Sequence, residues 1–232
     1  MTDGHAGIAD IVSANAPAGW LVTGFFTPDY RPLVQKLAAG LDAVAAPYHF
    51  YGVERQGGWR SETLRKPSII AGAMRQHAGQ TIVVMDADCT VRAPLAPMAD
   101  IASDVACFMH VKKRGPRQYA DLSSRVIVLR PTPGARRLIE SWARLCEEHP
   151  DSDGDEPLLI VALAQTPGVS WTPLDAHYAG RELGSEPAGA AIVHSSQREA
   201  SSLFRRLKRL SKTWRRKWVG RTTESRVRGT GA

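Results

Sequence analysis

Cysteine is scarce in this chain, and long apolar runs are absent. The three cysteines, Cys89, Cys107 and Cys146, are odd in number, widely spaced and form no Cys-x-x-Cys pair. That usage argues against a disulfide framework and against a structural zinc site, and it fits a reducing cytoplasm. Nowhere do 18 apolar residues follow one another, so no segment reads as a membrane-spanning helix. The opening MTDGHAGIADIVSANAPAGW has neither the basic n-region nor the apolar h-region of a signal peptide, and the expectation is a chain that is not exported by that route. No internal repeat of fixed period occurs.

Acidic residues are nearly missing from one end. Residues 203 to 232 hold 11 Lys and Arg against a single acid, Glu224, whereas residues 1 to 202 hold 19 against 22. The net charge of +7 is therefore a property of the tail alone, and the body is slightly acidic. With 43% apolar and 23% charged residues over 232 positions, the body has the composition and length of one soluble globular domain.

Along the body, WLVTGFF from residue 20 reads as a short buried strand closed by the turn-forming TPDYRP. Residues 32 to 46 carry Leu33, Leu37, Leu41 and Val44 at helical spacing. A second strand is expected at 48 to 53, followed by a Gly-rich charged loop, ERQGGWRSE. Pro67 then suits the first turn of a helix that Gly79 ends. The strand TIVVM at 81 to 85 completes strand, helix, strand, helix, strand, the pattern of an α/β sheet with parallel neighbours. Shorter strands are expected at 104 to 111 and 125 to 129, separated by a basic loop. A helix opened by PTPG, an acidic loop HPDSDGDEP, an apolar helix LLIVALAQ and short strands at VSWTPL and AAIVHS follow.

TIVVM runs directly into Asp86 and Asp88, which flank Ala87. In an extended segment residues i and i+2 point the same way, about 6.6 Å apart, so both carboxylates can converge on one small object. Open α/β sheets bind ligands beyond the carboxyl ends of their strands. Two hard oxygen donors suit Mg²⁺ or Mn²⁺, which often complete their shells with phosphate oxygens. The plainer account is that an isolated Asp-x-Asp caps a turn or accepts backbone N–H groups. DADCTV also resembles the signature of haloacid-dehalogenase-like phosphatases, which would make Asp86 a covalent nucleophile. That chemistry looks for a downstream lysine, and after Lys113 the only lysines are Lys208, Lys212 and Lys217, all in the tail.

A second resemblance covers far more of the chain. From about Trp20 to Gln197 the sequence is similar to GT-A type glycosyltransferases that use nucleotide-diphospho-sugars. It is carried by LVTGFF, Trp59 with the following LRKP and AGAM, VVMDADCTVRAP, SSRVIVLRPTPGARRLIESW, the pair Asp155 and Glu156, and IVHSS, in that order. The resemblance implies a single Rossmann-like α/β domain with a mixed, mainly parallel sheet. It further implies a Mn²⁺ or Mg²⁺ ion on Asp86, Asp88 and His194, bridging the diphosphate of a UDP- or GDP-sugar. Thr23 and Phe25 would lie beside the nucleoside, Arg65 and Lys66 would contact the phosphates, Asp86 and Ser124 would contact the donor, and Asp155 or Glu156 would face the transferred sugar or acceptor hydroxyl. Arg125 stands where many relatives have a glycine, which puts the sugar contact at Ser123 and Ser124 in question. Each residue also has an ordinary role: a strand-end histidine, an N-cap for Asp155, solvated charges for Arg65 and Lys66.

In the tail, Leu203, Leu207, Leu210, Trp214 and Trp218 form one helical stripe among basic residues. A cationic helix with tryptophans on its apolar face suits an anionic membrane surface better than nucleic acid, which would leave the stripe unused. The expected organisation is an N-terminal extension (1–18), a catalytic domain (19–202), a basic amphipathic helix (203–220) and a disordered tail (221–232). The expected activity is a metal-dependent transferase on the inner face of the cytoplasmic membrane, acting on a glycan or glycolipid. A phosphatase, or an inactive transferase-like binding module, stands as the alternative.

Overall fold

The structure, a computed structural model, describes residues 7–15, 18–114, 116–182 and 187–194. The tail helix and everything else expected beyond His194 lie outside the described residues.

Three strands with helices between them build the first half. Strand β2 (Trp20–Phe26) leads through a 3-10 turn (Pro28–Tyr30) into α1 (Arg31–Ala43), then β3 (Tyr48–Gly52). Helices α2 (Trp59–Leu64) and α3 (Lys66–Gln76) return the chain to β4 (Thr81–Met85). Both β3 and β4 lie parallel to β2, on opposite sides of it. A short β1 (Ile11–Val12), from the N-terminal extension, pairs antiparallel with β3. Beyond β4 the long hairpin of β6 (Val105–Arg114) and β7 (Arg117–Leu129) joins antiparallel through β7, and β8 (Trp171–Pro173) closes the edge beside β6. The seven-stranded order is β1-β3-β2-β4-β7-β6-β8. A second sheet contains β5 (Cys89–Val91), β10 (Ile192–His194) and β9 (Gly180–Glu182).

The central strands are buried on both faces because their side chains alternate between two cores. Trp20, Val22, Val83 and Met85 face α1, where Val34, Leu37 and Leu41 are buried, and the short α4 (Ala96–Ala99) adds Met98. Leu21, Ile82 and Val84 face the opposite layer of α3, α5 (Pro133–Glu148) and α6 (Glu156–Gln165). Trp142 is fully buried in that second layer. Thr132 caps α5 by accepting the Ala135 N–H at 3.2 Å, as Ser, Thr, Asp or Asn does at a helix start.

Three sequence expectations change. Residues 59 to 64 form α2 rather than loop, because the Glu62 carboxylate accepts the N–H groups of Gln56 and Gly57 at 2.7 and 3.0 Å and ties the Gly-rich stretch to the helix. The basic stretch after Val111 is strand rather than loop: Lys112 pairs with Tyr119 and Arg114 with Arg117, so cross-strand pairing outweighs weak local propensity. Finally, the Asp86 to Cys89 segment is a tight turn and not an extended continuation, closed by the Cys89 N–H to the Asp86 carbonyl at 3.0 Å.

Candidate functional site

The carboxyl end of β4 lies between unlike neighbours, parallel β2 and antiparallel β7. Such a change of direction opens a crevice at the strand ends. Here it is a half-open cleft lined by residues that include Thr23, Phe25, Arg55, Trp59, Lys66, Asp86 and Asp88. Gly24 makes the close approach beneath it, since a Cβ there would lie 2.3 Å from the Met85 carbonyl oxygen.

The turn after β4 brings the two aspartates together, and the second sheet supplies the third donor. His194 is registered opposite Cys89 across the β10–β5 pair, and its Nε2 lies 2.9 Å from Asp88 Oδ1. One ligand atom from each of Asp86, Asp88 and His194 falls within 4.8 Å of the others. Two carboxylate oxygens and an imidazole at this separation fit a divalent cation that also takes phosphate oxygens. Burial raises the Asp86 carboxyl above its ordinary value, the Asp88 charge adds to that, and Lys66 opposes it. A carboxyl pair so placed gains from a cation.

Lys66 is the resident cation. The residue is 4% exposed, and its ammonium lies 2.8 Å from Asp86 Oδ1 and 3.4 Å from Asp155 Oδ2. It also donates to Ser124 Oγ at 3.0 Å and to the Ser124 carbonyl at 3.3 Å. Burial disfavours its charge, but the Asp155 and Asp86 carboxylates more than reverse this and hold the ammonium above its ordinary range. The adjacent Glu156 accepts the Ser124 N–H through Oε1 at 3.1 Å.

Asp155 stands at the N-cap position of α6 but makes no side-chain capping bond. It is 3% exposed, and its Oδ2 has no hydrogen-bond partner. Its backbone carbonyl accepts the Trp142 indole N–H at 2.9 Å, which fixes the carboxylate toward Lys66. Asp155, Ser124 and Lys66 therefore form one buried cluster beneath Asp86. Arg65 points elsewhere, pairing with Glu62 at 2.8 Å and with the Glu54 carbonyl at 2.9 Å. Thr23 lines the cleft while its Oγ1 donates to the His49 carbonyl at 2.7 Å.

Sequence reasoning missed Arg55, Trp59 and Glu62 as builders of the cleft. Arg55 pairs with Asp29 at 2.8 Å, and Asp29, held below the ordinary carboxylate value first by the Thr27 hydroxyl, ties the β2 and β3 loops together. Their signal was present only as charge and aromaticity in a Gly-rich loop, without partners. Arg125 was noted only as a departure from the family pattern. Between Cys107 and Phe108 the β6–β7 register jumps from Ile127 to Ser123, and a bulge of this kind re-aims side chains. It delivers Ser124 to Lys66 and Arg125 to His194.

No protein-family model matches the sequence, and no curated protein is detectably similar to it. Solved structures are. A glycosyltransferase involved in the glycosylation of the major capsid of PBCV-1 superposes with a TM-score of 0.56 at 16% identity, over 76% of this chain and 93% of that one. The glycosyltransferase GlyE of Streptococcus pneumoniae gives 0.52 at 11% identity, over 77% of this chain and 55% of GlyE. Among the described residues no helix is long and apolar enough to cross a membrane. These likenesses, with the mixed and mainly parallel sheet, show that the chain has the GT-A glycosyltransferase fold.

Proposed function

We propose that this chain is a metal-dependent glycosyltransferase that moves a sugar from a nucleoside-diphosphate donor, a UDP- or GDP-sugar, to a glycan or lipid-linked acceptor. The observation that carries the reading is the convergence of Asp86, Asp88 and His194 within 4.8 Å at the mouth of the cleft. These three residues hold Mn²⁺ or Mg²⁺, which when bound supplies Lewis acidity to the departing diphosphate.

The nucleoside lies beside Thr23 and Phe25, which line the cleft. Lys66, kept charged by two carboxylates, fixes Asp86 and adds positive potential where charge builds on the leaving group. In the transfer the acceptor oxygen bonds to the anomeric carbon while the bond from that carbon to the diphosphate oxygen breaks. The diphosphate leaves with the electron pair. Glu156, only partly buried and bonded to the Ser124 N–H, takes the proton of the incoming hydroxyl. Asp155, inaccessible behind Lys66, acts by positioning the ammonium. The basic segment 203–218 holds the enzyme at an anionic membrane surface, where its acceptor resides.

Calorimetric titration with UDP- and GDP-sugars tests the reading. Binding should require Mn²⁺ or Mg²⁺ and weaken at least about 100-fold in Asp88→Ala; no binding of any nucleotide sugar sinks it. Turnover of an aryl phosphate instead would favour the phosphatase reading, which gains support from Lys66 beside Asp86 but none from the fold. Loss of sedimentation with anionic liposomes on deletion of 203–232 tests the membrane assignment separately. Liposome binding without any transfer would mark an inactive module.

A further inference from the structure

We propose that the outer part of the β6–β7 hairpin is a membrane-contacting arm, which lays Met109 and Val111 against an anionic lipid surface. The arm is distinct from the basic tail, and its role rests on the proposed lipid-linked acceptor.

Beyond the sheet the two strands have only each other. Strand β4 pairs with β7 over residues 126 to 129, and β8 pairs with β6 over residues 105 to 107. Residues 108 to 114 pair with residues 117 to 123, and among the described residues no third strand joins them. A ribbon of two strands is marginal in water unless an apolar face packs on something. At its root Phe108 and Leu122 are buried in the body. Further out, Met109 is 37% and Val111 61% exposed. Residues i and i+2 of a strand share a face, and Ala120, registered opposite Val111, is exposed as well. The ribbon thus carries an apolar face that the body leaves open.

Charge on the same ribbon selects what covers it. Residues 105 to 120 include Lys112, Lys113, Arg114 and Arg117 and no acid. Residues 1 to 202 as a whole hold 19 Lys and Arg against 22 acids, so the ribbon is a positive projection from a slightly negative body. An anionic bilayer attracts such an arm while repelling the rest, which sets orientation as well as contact. Aliphatic side chains take the apolar boundary and the cations take the headgroups. A polyanion would use the charges and leave Met109 and Val111 in water. The ribbon also ends one residue before Ser124, whose N–H bonds Glu156 at 3.1 Å. A bilayer engaged by the arm is therefore held beside the carboxylate proposed to take the acceptor's proton.

The experiment uses the full chain with vesicles of phosphatidylcholine, alone or mixed with phosphatidylglycerol. Its first readout is Val111→Cys carrying an environment-sensitive fluorophore, which reacts selectively because Cys89, Cys107 and Cys146 are buried. The label should shift to shorter wavelength on the mixed vesicles and stay unmoved on phosphatidylcholine. The second readout is sedimentation of the double variant Lys112→Gln, Lys113→Gln, whose affinity for the mixed vesicles should fall about 20-fold, roughly fivefold per charge. A silent label on a chain that sediments overturns the inference alone. So does wild-type affinity in the double variant, which would leave binding to the tail. A label that responds to heparin and not to the vesicles overturns it in favour of a polyanionic partner. Absence of sedimentation in every form overturns the membrane reading and this inference with it.

Discussion

Lys66 Nζ lies 2.8 Å from Asp86 Oδ1, deep under the aspartate turn, and reaches Asp155 on its other side. The lysine comes from the first turn of α3 and the aspartate from the end of the strand that α3 precedes. Removing one member of a buried ionic set strands the others in a low-dielectric site, at a cost of about 3–5 kcal/mol. Lys66→Met should therefore lower the melting temperature by roughly 10 °C. Adding Asp155→Asn should recover part of the loss, because one stranded charge is gone. Calorimetry on the single and double variants measures the coupling.

Asp155 lies outside the candidate metal group, yet its carboxylate faces the lysine that orders it. Asp155→Asn should leave Mn²⁺ affinity within about twofold of wild type and reduce kcat by about 10–100-fold, the range for partners that orient a ligand. Parallel Mn²⁺ titration and transfer kinetics check this. A matched loss in both would place Asp155 among the ligands.

Gly24 lies where β2 runs closest to the end of β4. A Cβ at 2.3 Å from the Met85 carbonyl oxygen and 3.3 Å from the Phe50 ring cannot be accommodated without moving backbone. Gly24→Ala should cost about 1–3 kcal/mol, as overpacking does, and should weaken nucleotide-sugar binding through displacement of Met85 and Asp86. Gly58→Ala, with nothing within 4 Å of its Cβ, is the control and should be near neutral. Urea midpoints distinguish the two.

Asp104 joins the start of α5 to the strand edge, accepting from the Thr132 hydroxyl at 2.6 Å and from the Ser170 N–H at 2.9 Å. The Thr132 hydrogen bond, then the Ser170 amide, holds its carboxyl below the ordinary value of 3.8. A depressed folded-state value means that the contribution to stability is present above pH 3.8 and is lost as pH falls through the lower folded value. Wild type should exceed Asp104→Asn in stability at neutral pH, and the gap should narrow below that point. Urea melts across pH 2.5–7 follow it.

Much of the first half was legible because its signals are local. Leu37 and Leu41 repeat at helical spacing, Pro67 marks a first turn, and TIVVM, short, β-branched and bounded by Gly79 and Asp86, reads as a strand buried on both faces. The candidate metal group was reached through order rather than spacing: His194 is 106 residues from Asp88, and nothing local joins them. The basic hairpin strands were illegible because their pairing partner is their own second arm, whose cross-strand bonds override composition. Likewise α2 depends on Glu62 turning back onto the amides of Gln56 and Gly57, a contact invisible to periodicity.

By itself the sequence determined the layered α/β body, the strand that ends in Asp86 and the concentration of positive charge beyond residue 202, since alternation, caps and composition act over a few residues. The tertiary structure decided which charges meet. It turned Arg65 out toward Glu62, drew Lys66 in between Asp86 and Asp155, and through a register jump in β7 set Arg125 against His194. Those choices depend on how helices and strands pack and pair, and for Arg125 a one-residue difference in register would have sent the side chain to the other face.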